Sequence, residues 1–261
     1  MKHYDITKPI GLLTPCKEIE NTCKMAHMYK RCGIRPKHYI IPLDSGSGRT
    51  TLIEYMADMY KKAGVISFTS GLDDYIEIAF DGSLQQLRQA FYAVDSAAVY
   101  TNEYCNIIGM DISGISNHLG ETHFTEFMKN CKRVCEYAYV VFFIHTTPTK
   151  NEEKLLNKLC EEIDNIKRLS VEPYTKDDMC AFIIKSIVQH GIDIKHETGF
   201  HAVLMDMISQ FGITSVKNAI STADALVHFA DFSGFIPTVD ENSLKLMITS
   251  WHKDAERSEV K

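Results

Sequence analysis

Apolar positions along the chain follow two alternating rhythms. His38–Pro42, Val65–Phe68, Asn106–Ile112 and Tyr139–Ile144 are short, continuous apolar runs with the length and character of buried strands. Between them, Ile19–Arg31, Leu52–Lys62, Leu84–Val94 and Phe124–Tyr137 carry helical spacing. In Leu52–Lys62 the residues Leu52, Ile53, Met56, Met59 and Tyr60 share one face, and Gly64 stops the helix. Strands that are apolar throughout, separated by helices, predict a parallel sheet covered on both faces.

The rhythm changes near Tyr174. Thr175-Lys176-Asp177-Asp178 reads as an N-cap with acids in the first turn, opening a helix that continues through Met179–Gln189. Glu197–Gln210, Val216–Ala230 and Ser243–Trp251 follow as further helices, with no strong strand. The expected organisation is an αβα core over residues 1–173 and a small all-helical domain over 174–261.

Composition narrows the classes. With 261 residues, 45% of them apolar, the chain can bury a large core. The net charge of −6 argues against nucleic acid as a partner. Tyr137–Ile144, the longest apolar stretch, is too short to span a bilayer, and Met1–Asp5 lacks the apolar run of a signal peptide. Eight cysteines in such a chain read as reduced thiols of a cytoplasmic protein.

The chemistry concentrates after the first strand. Leu43-Asp44-Ser45-Gly46-Ser47-Gly48-Arg49-Thr50-Thr51 is a Gly/Ser-rich loop running into a helix. Glycines let backbone N–H groups turn towards phosphate oxygens, and a helix N-terminus adds positive potential. The phosphate-loop pattern is Gly, four residues, then Gly-Lys-Ser/Thr. Here Gly48-Arg49-Thr50 keeps its second half, with Leu43 at the first glycine position and Arg49 at the lysine position. A plain Gly/Ser turn would look similar, so the loop alone does not decide. Thr50 offers a hydroxyl to Mg²⁺, and Asp111, closing a later apolar run, stands where a Mg²⁺-associated acid belongs. Its plain alternative is an acid capping a turn. Ile112 follows, where an active ATPase usually carries a water-orienting Glu.

With these residues in place, the chain resembles the AAA+ ATPases, in the branch containing the rubisco activase CbbX and the sporulation protein SpoVK. Pro9-Ile10-Gly11-Leu12 with Lys17-Glu18-Ile19 resembles the family's entry motif, and His38 through Tyr60 its strand, P-loop and first helix. Val140–Thr147 resembles the sensor-1 strand, with His145-Thr146-Thr147 at its tip. Val171–Tyr174 resembles the step into the lid, and Phe211–Asn218 the sensor-2 motif. The resemblance implies ATP or ADP with Mg²⁺, held by Ser45, Gly46, Ser47, Gly48, Arg49, Thr50, Thr51, His145 and Thr146, with the metal at Thr50 and Asp111.

The departures carry equal information. Besides Leu43, Arg49 and Ile112, the sensor-2 Arg aligns with Thr214, and the arginine-finger region, Glu161–Asn165, has no Arg before Arg168. Each lost group normally orients water or stabilises transition-state charge. The set implies a hydrolysis-deficient subunit that binds protein partners, alone as a homo-oligomer or with an active AAA+ paralogue. Alternatives are a slow Mg²⁺-dependent ATPase that remodels a protein, and a DNA-associated regulator, which the acidic charge disfavours. His118–His123 lacks the His-Glu-x-x-His spacing of a metal helix, and Cys131 and Cys135 read as buried thiols.

Overall fold

Strands that are apolar on both faces need cover on both faces, and the chain supplies it in the order that the pattern predicts. The first unit comprises α1 (Leu13–Cys32), β1 (His38–Pro42), α2 (Arg49–Lys62), β2 (Tyr75–Ala79), α3 (Leu84–Ala98) and β3 (Ile107–Asp111). A 3₁₀ turn (Gly114–His118), α4 (Thr122–Val134), β4 (Tyr139–Ile144), α5 (Lys150–Glu162) and β5 (Ile166–Arg168) complete it. The five strands form one sheet in the order β2-β3-β4-β1-β5, and every neighbouring pair is parallel. All six residues of β4 are buried, as are all of β1 and β3 except their last residues. The computed structural model describes residues 8–33, 35, 37–66, 75–80, 83–98, 107–120, 122–195 and 197–259. It divides into two compact units, Met1–Glu172 and Pro173–Lys261.

One core fills the face between the sheet, α4 and α5, through Phe80, Phe91, Phe127, Phe142, Leu155 and Leu159. Each such side chain contributes roughly 1.5–3 kcal/mol by leaving water. Cys131 and Cys135 are buried in it and form no disulfide. On the α2 side, the close approach depends on Gly109. A Cβ there would lie 3.1 Å from Ile53 Cγ1 and 3.2 Å from Phe143 Cε2.

Val65 and Ile66, the start of the second apolar run, are not in a strand. Gly64 adopts φ 66° at the end of α2, and the Val65 and Ile66 amides both donate to the Tyr60 carbonyl, at 2.8 and 3.4 Å. Their donors are thus spent on the helix end and not on a ladder; Ser67 and Phe68 lie outside the described residues. The edge strand is Tyr75–Ala79, whose Ile76 and Ile78 alternate with Glu77. α5 and β5 also form where the hydrophobic pattern assigns nothing. A capping box starts α5: Thr149 Oγ1 accepts from the Glu152 amide, and Glu152 Oε2 from the Thr149 amide at 2.7 Å.

The second unit is helical: α6 (Lys176–Gln189), α7 (Glu197–Gln210), α8 (Val216–Val227) and α9 (Glu241–Glu259) surround a core containing Ile183, Phe200, Leu204, Ala219 and Leu244. It adds a two-residue parallel ladder between β6 (Asp193–Ile194) and β7 (Thr238–Val239). Among the described residues, no helix is long and apolar enough to cross a membrane.

Candidate functional site

The sheet order places the loop after β1 beside the tip of β4. From β1 the chain moves to β2 at one edge of the sheet, and from β4 to β5 at the other. The two connections therefore leave these neighbouring strands in opposite directions, at the carboxyl ends, where open α/β sheets form the crevice that binds ligands.

The loop is pinned at its start by the Leu43 amide, which donates to the Ile144 carbonyl at 2.9 Å. Ser45 and Gly46 form a turn closed by the Ser47 amide on the Asp44 carbonyl at 3.1 Å. Gly46 (φ 78°) and Gly48 (φ 89°) occupy the left-handed region, which a side chain would strain. Gly48 is the N-cap of α2, so Arg49, Thr50 and Thr51 form the helix's first turn and its positive end faces the loop.

Arg49 folds back over this loop. Its Nε donates to the Leu43 carbonyl at 2.5 Å, and its Nη1 forms an ion pair with Asp111 Oδ2. The guanidinium lies over the Phe143 ring, 5.3 Å from its centroid, a cation–π arrangement. The Arg49 side chain is 11% exposed and that of Asp111 24%, so the pair is only partly screened by water. Asp111 Oδ1 accepts from the Ser113 amide at 3.1 Å and the Ser113 hydroxyl at 2.6 Å. Burial works to raise the Asp111 pKa, but the Ser113 bonds and Arg49 together outweigh it and hold the carboxyl below its ordinary range.

The other polar groups of the loop are engaged too. The Thr50 hydroxyl donates to Glu77 Oε2 on β2 at 2.9 Å. Asp44 accepts from the Thr146 amide at 3.1 Å and the Thr146 hydroxyl at 2.6 Å, tying the loop to the segment after β4. Burial pushes the Asp44 carboxyl up, but the two Thr146 bonds, with His145 and Arg49, bring it below the usual value. His145 Nδ1 meets the buried Glu152 Oε1 at 2.6 Å, so α5 fixes the ring's orientation. Ile112 points elsewhere: fully buried, it belongs to the core, and its amide donates to the Phe143 carbonyl at 3.0 Å. Arg168 pairs with Glu153 at 3.0 Å, and Thr214 lies in the second unit, exposed. The His118 and His123 rings pack edge to face at 5.6 Å.

The loop keeps the two left-handed glycines of the phosphate-loop pattern, and a Cβ at Gly46 would meet nothing within 4 Å. The side chains do not match it. Arg49 and Asp111 neutralise each other, the Thr50 hydroxyl faces a carboxylate, and Asp44 puts a negative charge inside the loop. Among the described residues, three carboxylates, those of Asp44, Glu77 and Asp111, accompany the single guanidinium of Arg49 around this loop. The residues as arranged do not fit Mg²⁺-ATP. Asp44, Glu77, Ser113 and Glu152 are site residues that motif reading passes over. The capping signature Thr149-x-x-Glu152 and the alternation of Tyr75–Ala79 are the signals that point to two of them.

No family model and no curated protein matches the chain. Solved structures do. The RuvB Holliday junction branch migration motor of Thermotoga maritima aligns over 94% of this chain and 73% of its own, at 12% identity and TM-score 0.52. PCH-2 of C. elegans aligns over 92% and 68%, at 12% identity and TM-score 0.56. Katanin, in a structure concerning its self-assembly, aligns over 88% and 77%, at 12% identity and TM-score 0.52. At such identities the likeness speaks for architecture: the chain has the AAA+ P-loop NTPase fold, a parallel αβα core followed by a small helical domain.

Proposed function

We propose that this chain is an ATP-binding-like AAA+ protein that hydrolyses ATP poorly or not at all and acts as a subunit on protein partners. The observation that carries the reading is the Arg49–Asp111 ion pair. It withdraws the cation that would meet phosphate and the acid that would associate with Mg²⁺, in one contact. Ile112 adds to it, since an aliphatic side chain turned into the core can neither accept a proton nor hold an attacking water. In this reading residues 1–173 are the nucleotide-type core and 174–261 the lid, in a cytoplasmic protein. The subunit assembles with itself or with an active paralogue. The net charge of −6 favours protein over nucleic acid as the partner.

Phosphate release from Mg²⁺-ATP by the purified protein tests the proposal. The expected turnover lies well below about 1 s⁻¹, the low end of typical enzymes. Turnover at or above that value, abolished by Thr50→Ala, overturns it.

A further inference from the structure

The polar side chains of the loop after β1 are engaged with one another and with the neighbouring strands. Removing one partner of a partly buried ion pair leaves the other charge uncompensated, and a group in that position takes the next counter-ion it meets. Arg49 is 11% exposed, with two neutral partners, the Leu43 carbonyl and the Phe143 ring, besides Asp111. Its guanidinium stands at the N-terminus of α2, beside two glycines in the left-handed region. A diphosphate arriving at that loop offers anionic oxygens that a guanidinium pairs with, as Arg49 Nη1 pairs with Asp111 Oδ2. Asp111 and a nucleotide phosphate are therefore competitors for one guanidinium, and Asp111 holds it at no cost in lost translational freedom.

We infer that Asp111 is an internal substitute for phosphate: it latches Arg49 and so closes the loop to nucleotide, and its neutralisation opens a binding site for metal-free nucleoside diphosphate. The role usual for such an acid is inverted. A metal-associated carboxylate supports nucleotide binding through Mg²⁺, whereas here the carboxylate opposes it. The inference rests on reading residues 43–50 as a nucleotide-type loop. It is independent of the turnover assay, because a chain that hydrolyses ATP and a chain with no latch fail in separate experiments.

The test is calorimetric titration with ADP in the presence of EDTA, on wild type, Asp111→Asn, and the double variant Arg49→Met/Asp111→Asn. Asp111→Asn keeps a side chain of the same shape that still accepts from Ser113. It is expected to bind ADP at least about tenfold more tightly than wild type, equivalent to about 1.4 kcal/mol. The double variant is expected to lose that gain, which assigns it to Arg49. Equal affinity of wild type and a folded Asp111→Asn overturns the inference, as does a gain that survives loss of Arg49. Wild type itself gives a second measurement that requires no substitution at Asp111. The guanidinium ¹⁵N signals of Arg49, assigned through Arg49→Lys, are expected to stay unmoved by millimolar ADP. A shift of those signals at ADP concentrations that leave the other arginines unmoved overturns the latch.

Discussion

Ile112→Glu would place a carboxyl where an active ATPase of this fold carries one, and on sequence grounds, together with Arg49→Lys, it would be the change to restore hydrolysis. The structure predicts unfolding pressure instead. Ile112 is fully buried among the apolar side chains of the core. Removing its aliphatic side chain forfeits about 2 kcal/mol of burial. Placing a neutral, unpartnered carboxyl there costs about 2 kcal/mol more. A total of about 4 kcal/mol corresponds to a fall of roughly 8–16 °C in the melting temperature of a unit of this size. The charge adds a pH signature. Burial raises the introduced carboxyl's folded pKa above its unfolded value of about 4.3, so the unfolded state releases its proton first as pH rises. The penalty therefore grows with pH from about 4.3 up to the folded pKa and then levels off. Thermal melts of wild type and variant at pH 5 and pH 8 measure both effects, with the larger deficit expected at pH 8. A variant melting within about 2 °C of wild type at both values, and gaining ATP turnover, would show that position 112 faces the crevice.

Two further outcomes follow from contacts elsewhere in the first unit. Burial, with Arg35 adding and the Cys135 carbonyl opposing, pushes the His38 imidazole down to about 4, while its Nδ1 accepts from the Val140 amide. The unfolded imidazole, at about 6.5, takes up its proton first, so wild type loses about 3 kcal/mol as pH falls from about 6.5 to about 4. His38→Gln is expected to flatten the dependence of the urea midpoint over that window, and an unchanged slope refutes the assignment. Thr149→Ala removes half of the α5 capping box and is expected to lower stability by about 1 kcal/mol in urea unfolding with an unchanged m-value. No change in midpoint would mean that Glu152 holds the helix end alone.

What sequence reasoning read well were the elements whose pattern is one-sided. β4 is apolar at every position and β1 and β3 nearly so, and burial on both faces leaves no other place for such runs. α2 carries a clear face through Leu52, Ile53, Met56 and Tyr60, all buried. The missed elements are those in which local chemistry outweighs hydropathy. Val65-Ile66 is apolar enough for a strand, yet its amides serve the end of α2, and the true edge strand carries Glu77 at its centre because an edge needs only partial burial. Lys150–Glu162 buries few residues, so its capping box was the better signal than its periodicity. The site divides in the same way. Glycine spacing marks the loop and an apolar run marks Asp111. That Arg49 turns back to Asp111, and that Thr146 holds Asp44, depends on strand order, which brings together residues 62 and 102 positions apart.

Gly109 carries no chemistry, yet it governs the distance at which that chemistry operates. The two atoms nearest to its missing Cβ belong to Ile53, one turn along α2 from Arg49, and to Phe143, the ring beneath the Arg49 guanidinium. It is a spacing gauge between helix and sheet. A methyl group there would move the ring or the helix by a few tenths of an ångström, and either movement would alter the reach of Arg49. A purely steric substitution two residues before Asp111 on β3 would thus be read out as a change in charge pairing, with no ionisable group added or removed.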